Sequence, residues 1–141
     1  MPMSTPKPNR RDTRQLAMQL MYQFDVRGKD DPAEVRASVP DEVGSAELID
    51  AACALAERAW ALHDQADAAI TPLTPDWPTH RQAPVDRAIL RLAYAEMRLG
   101  HAPHRVVLNE AVELAKKFSA EQSPAFINAV LDKLSKQIPQ D

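Results

Sequence analysis

An all-α fold is predicted for this 141-residue chain by three features of its sequence. Glycine occurs only three times, and no run of β-branched and aromatic residues alternates over the length of a strand. Alanine, leucine, glutamine and glutamate dominate the long segments, and these residues lose little freedom in a helix. Twelve prolines punctuate the apolar stretches at positions where helices start or stop.

Taken in order, residues 1–9 contain Pro2, Pro6 and Pro8 and read as a disordered tail ahead of one domain over 10–141. The first helix is predicted over 10–27, where Leu16, Leu20 and Phe24 recur every fourth residue with Ala17 and Met21 beside them. Pro32 and Pro40 bracket a short helix over 32–37. A long helix over 45–70 ends ahead of Pro72, Pro75 and Pro78, with one further turn of helix near 77–82. Pro84, Pro103 and Pro124 stand where helices begin, because a first turn has no intrahelical partner for the amide that proline lacks. The corresponding helices are 84–100, 103–118 and 124–137, the last with Ser123 as its N-cap. Val107, Ala111, Leu114, Ala115 and Phe118 form an inward stripe on one of these, and Ile127, Val130, Leu131 and Leu134 on another. Helices of this length need packing partners, so the expected product is a compact bundle or two small bundles sharing a core.

Composition narrows the function classes. With 45% apolar residues the chain can bury a core without disulfides or metal. No apolar run approaches the roughly 18 residues a membrane span needs, and the start is polar, so a cytoplasmic location is expected. Cys53 is the one cysteine and reads as a small buried residue between alanines. The net charge of −3 conceals three zones. Residues 1–29 hold six basic against two acidic groups, residues 30–76 hold eleven acidic against two basic, and residues 77–141 hold nine basic against seven acidic. Such a chain can offer a polyanion a basic surface built from its two ends.

No catalytic constellation stands out, and the expectation is a non-enzymatic protein without cofactor or metal. There is no glycine-rich phosphate loop and no serine in a nucleophile elbow, and the four histidines lack a third ligand at readable spacing. Glu96 falls on the apolar side of its helix and is expected to be a hydrogen-bonded structural carboxylate. Arg14, Met18 and Tyr22 form an i, i+4, i+8 row that the spacing turns away from Leu16 and Leu20, with Arg11 on the same side. Cations beside a ring suit single-stranded RNA, whose backbone is charged and whose bases expose both faces. The same row also fits a solvated helix whose Tyr22 lies along the core edge, and the pattern leaves both readings open. A second row, Arg87, Arg91, Tyr94 and Arg98, reads as an outer face whose arginines pair with carboxylates. Phe126 sits at the edge of the last apolar stripe, close in sequence to Lys116 and Lys117, and is expected to be half exposed.

Three stretches carry a family resemblance. They are Val85-Asp86-Arg87-Ala88-Ile89-Leu90-Arg91-Leu92-Ala93 followed by Glu96, then Val107-Leu108-Asn109-Glu110-Ala111-Val112-Glu113-Leu114-Ala115-Lys116-Lys117-Phe118, then Phe126-Ile127-Asn128-Ala129-Val130-Leu131-Asp132-Lys133-Leu134. Trp77 and Arg81 match in spacing, and Arg10-Arg11 through Arg14, Gln19 and Tyr22 resemble an arginine-rich first helix. Together they resemble the NusB family over residues 10–27 and 70–135, while 28–69 is similar only as a helix of suitable length.

The resemblance implies two packed three-helix bundles and a role in processive antitermination on ribosomal RNA operons. It implies NusE, a small-subunit ribosomal protein, as partner, boxA single-stranded RNA as ligand, and the RNA polymerase antitermination complex as setting. Carried over by motif, Arg10, Arg11 and Arg14 would meet phosphates and Tyr22 and Phe126 would contact RNA bases or sugars, with Lys117 counted among the RNA-binding residues. Asp12, Gln122, Pro124 with Ala125, and Ala129 depart from the family pattern. Lost cations are expected to weaken phosphate binding, and the Ala129 methyl to crowd a close helix contact. Two other readings remain. One is an accessory to an RNA cytosine methyltransferase, to which 141 residues leave no catalytic domain. The other is a protein-interaction module or homodimer without strong RNA binding of its own.

Overall fold

The computed structural model describes residues 10–140, so the predicted tail over 1–9 lies outside the described residues. Seven α-helices and no strand occur among them: α1 Arg10–Arg27, α2 Pro32–Ser38, α3 Ala46–Ala61, α4 His63–Ile70, α5 Pro84–Leu99, α6 His104–Phe118 and α7 Ser123–Ser135. Short 3-10 turns occupy Asp41–Val43, Thr71–Leu73 and Thr79–Arg81. Local chemistry sets most boundaries. Asp31 accepts from the Glu34 amide to cap α2, and Ser45 accepts from the Leu48 amide to cap α3. Pro84 and Pro124 occupy first turns, and Gly100 ends α5 in the left-handed region at φ 66°.

Two boundary expectations need correction. The single helix over 45–70 is two helices, broken at Leu62 with φ −99° and ψ 3°. There the His63 ring stacks on Trp60 at 3.9 Å between centroids, and His63 Nδ1 lies within hydrogen-bonding distance of the Trp60 carbonyl. Trp60 in turn meets Phe24 edge-on at 5.7 Å, so the break lets one aromatic serve core and surface together. Ser123 is not an N-cap either. It lies inside α7, and its hydroxyl donates to Asp86 Oδ2 at 2.9 Å instead.

The helices pack as two triplets, α1 with α3 and α5, and α5 with α6 and α7, while α2 rests on α3 and α4 on α5. Helix α5 belongs to both triplets and is buried all round from Ala88 to Met97. That centrality overturns the expected outer row on this helix. Tyr94 and Arg91 are buried and only Arg98 is exposed. The expected pairing does hold: Arg91 donates from Nε and Nη2 to Asp67 at 2.9 and 2.7 Å and lies over Trp60, and Arg87 donates to Asp25 at 2.7 Å. Fully buried alanines, Ala17 on α1 and Ala52, Ala56 and Ala59 on α3, allow those two helices to approach closely. Cys53 is a free buried thiol, raised above its ordinary pKa by burial. Ala129 is exposed on α7, so its methyl crowds no helix contact. Among the described residues no helix is long and apolar enough to cross a membrane.

Candidate nucleic-acid interface

Helix α1 supplies most of the surface, and its phase decides which side chains reach solvent. The core takes Leu16, Ala17, Leu20, Met21 and Phe24, and it also takes Arg14 and Met18. The predicted exposed row of Arg14, Met18 and Tyr22 is therefore wrong at its first two positions. With α3 and α5 on one side and α6 near the other, the buried arc of α1 is wider than its aliphatic stripe. Arg14 and Met18 fall within it. What reaches solvent or the rim is Arg11, Gln15, Gln19 and Tyr22, a row with spacings of four, four and three.

Arg14 has become a structural cation. Its Nε donates to both carboxylate oxygens of Glu96 at 2.9 and 2.7 Å, and the two side chains are 9% and 3% exposed. Burial pushes the Glu96 carboxyl above its ordinary range while Arg14 opposes that shift. Glu96 is thus the hydrogen-bonded structural carboxylate that its helix position predicts. Arg11, three residues earlier, is 65% exposed yet donates from Nε and Nη2 to Glu110 at 3.0 and 2.9 Å. The hydrogen bonds from Arg11 hold the Glu110 carboxyl below its ordinary range.

Two adjoining depressions follow the exposed row. One, of about 330 Å³, is bounded by Arg11, Gln15, Glu110, Glu113, Lys116 and Lys117. Lys117 Nζ donates to Gln15 Oε1 at 2.8 Å and lies 5.3 Å from the Phe118 centroid, so α6 delivers a cation and a ring to the α1 row. The other, of about 490 Å³, is lined by Gln19, Tyr22, Gln23 and Arg27 of α1 together with Val85 and Phe118. Tyr22 is 37% exposed there. Gln15, Gln19 and Phe118 were not singled out as interface residues by sequence. Glutamines carry no charge signal, and Phe118 reads as the end of a core stripe.

The remaining predicted residues separate. Phe126 is half-buried against the core near the start of α7 and lines neither depression. Its helix is anchored by Asp86, which accepts hydrogen bonds from the hydroxyls of Ser119 and Ser123 and so ties α5, α6 and α7 together at this end. Arg10 is exposed but faces the segment after α5, where its Nη1 reaches the His101 carbonyl at 3.5 Å. Of the six predicted residues, Arg11, Lys117 and Tyr22 share the strip, Arg10 lies beside Arg11 at its end, Arg14 is buried beneath it, and Phe126 is not brought to it.

The profile of the NusB family matches residues 11–136 of this sequence. The chain belongs to the NusB family. It is 41% identical over 128 residues to the transcription antitermination protein NusB of Anaeromyxobacter dehalogenans, covering 89% of each chain. Its fold is similar to that of NusB from T. maritima, with a TM-score of 0.82, 28% identity and coverage of 96% of this chain and 94% of the other. It is also similar to a chain in the crystal structure of the antitermination factors NusB and NusE in complex with dsRNA. There the TM-score is 0.76, the identity 27% and the coverage 91% of this chain and 96% of the other. The NusB resemblance read from separated motifs therefore extends across the middle of the chain as well.

Proposed function

We infer that this protein is a transcription antitermination factor that binds boxA-type single-stranded RNA together with NusE in the RNA polymerase complex on ribosomal RNA operons. It acts in the cytoplasm by binding alone and catalyses no reaction. The observation that carries this reading is the strip in which Arg11, Gln15 and Lys117 adjoin the exposed Tyr22 ring across the α1–α6 seam. Cations on such a strip meet phosphates, glutamine amides can donate to and accept from base edges, and the phenol ring offers a stacking surface. Membership of the NusB family supports the partner and the setting. Arg10 extends the strip at one end, Arg14 supports it from below through Glu96, and Phe126 contacts RNA from the start of α7.

Fluorescence anisotropy of a boxA strand, with and without NusE, tests this assignment. Arg11→Ala and Tyr22→Ala each weaken binding, and NusE strengthens it. Because the similar NusB–NusE assembly holds dsRNA, the titration includes the matching duplex, which should bind more weakly to this chain than the single strand. Unchanged binding for both variants rejects the strip. Duplex binding as tight as single-strand binding rejects the base-stacking role of Tyr22.

A further inference from the structure

Around the connection between α5 and α6, residues 100–103, the molecule gathers further cations beyond the strip. Arg10 and Arg98 line one depression of about 480 Å³ with His101 and His104. Arg10 and Arg14 line another, of about 310 Å³, with Glu96 and His101. Arg58, one turn beyond Leu55 in the wall of that second depression, lies close enough to His101 to disfavour its protonation. Arg105 is exposed in the first turn of α6.

The acids here are already engaged. Glu96 is bound to Arg14 and Glu110 to Arg11, whereas Arg10, Arg58, Arg98 and Arg105 have no carboxylate partner among the described residues. The arrangement is also costly within the fold. Helix α6 begins His104-Arg105 and has no acidic residue in its first turn, so cations sit at the positive end of the helix dipole. Burial and the neighbouring arginines push the His101 imidazole below its ordinary pKa, which is a sign of the same positive potential.

We propose that this cationic end, built from Arg10, Arg58, Arg98 and Arg105, is a second RNA-binding surface that takes the phosphodiester backbone of nucleotides flanking the boxA element. The proposal rests on the RNA-binding function inferred above and adds to it Arg58, Arg98 and Arg105, with Arg10 shared between the two surfaces. A third depression, of about 480 Å³ and lined by Arg10, Arg11 and Arg14, joins this end to the α1–α6 strip, so one strand can run from one to the other. No exposed tyrosine, tryptophan or phenylalanine lines this end, so the contacts of its arginines are to phosphate and independent of base identity. A surface for RNA is favoured over one for an acidic protein because it is continuous with the strip through Arg10 and Arg11.

The test compares a minimal boxA strand with the same strand extended by flanking nucleotides, titrated at several salt concentrations. The triple variant Arg58→Ala/Arg98→Ala/Arg105→Ala should bind the minimal strand as wild type does. On the extended strand its log K against log salt slope should be shallower by about 2, since each phosphate contact on single-stranded nucleic acid contributes about 0.7. The triple lysine variant keeps the charges and should keep the slope. An extended-strand slope unchanged in the alanine variant overturns the proposal, as does competition by poly-glutamate equal to that of RNA. Loss of minimal-strand binding in Tyr22→Ala reports on the strip alone, so the two surfaces fail or succeed separately.

Discussion

Arg11 and Arg14 stand three residues apart on α1, and each meets a glutamate from another helix, yet they do different work. The Arg14–Glu96 pair is closed off, with exposures of 9% and 3%, and neither charge can leave without abandoning the other in the core. In the Arg11–Glu110 pair the arginine is 65% exposed, so water screens the attraction and the guanidinium can exchange its carboxylate for a phosphate. Residue type alone does not separate a structural cation from a ligand-binding one; the dielectric around it does.

The largest expected effect breaks the buried side of this contrast. Arg14→Ala should cost about 3–5 kcal/mol of stability by leaving the Glu96 carboxyl buried without its partner, measured by urea unfolding. The double variant Arg14→Met/Glu96→Leu should recover most of that loss. RNA affinity of the folded fraction should stay near wild type, and a large loss of affinity at unchanged stability would show that Arg14 faces the ligand after all. Tyr22→Ala should do the opposite, removing about 1–3 kcal/mol of RNA binding with little change in the unfolding midpoint.

Glu110→Gln sharpens the exposed side. Without its carboxylate partner Arg11 meets phosphate more readily, so RNA should bind more tightly and with a salt slope steeper by about 0.7. The smallest effect concerns pH. Hydrogen bonding to Arg11 lowers the Glu110 carboxyl from its ordinary 4.5, so the folded state binds this proton less readily than the unfolded chain. The pair's contribution to stability is therefore complete above pH 4.5 and fades as pH falls through the depressed value. Thermal unfolding of wild type and Glu110→Gln should converge in that acid range. A gap that persists well below it would place the contribution of Glu110 in packing rather than charge.

Much of the fold was legible because its signals are local. The prolines at the starts of α5, α6 and α7 and the aliphatic repeats of α1, α6 and α7 act over a single turn or two, and they located these helices to within a few residues. The break at Leu62 was not legible, because no proline, glycine or capping side chain marks it in the sequence. The outward row on α5 failed for a related reason. Periodicity marks the most apolar side of a helix, but a helix wrapped by α1, α3, α4, α6 and α7 has no outward side over Ala88–Met97. Of the interface, Arg11, Lys117 and Tyr22 were readable as cation and ring. Gln15 and Gln19 were not, since their place beside Lys117 and Tyr22 follows from the approach of α6 to α1.

By itself the sequence determined that the chain is helical, roughly where its helices begin and end, and, through spaced motifs, which family it belongs to. Those properties reside in the backbone preferences of short segments and in the order of residues. Which arginine is buried, which glutamate neutralises it and which cations stay unpaired was decided only by tertiary structure. Charge acts through the surrounding dielectric, and that dielectric comes into being when distant helices exclude water from one side chain and leave the next one wet.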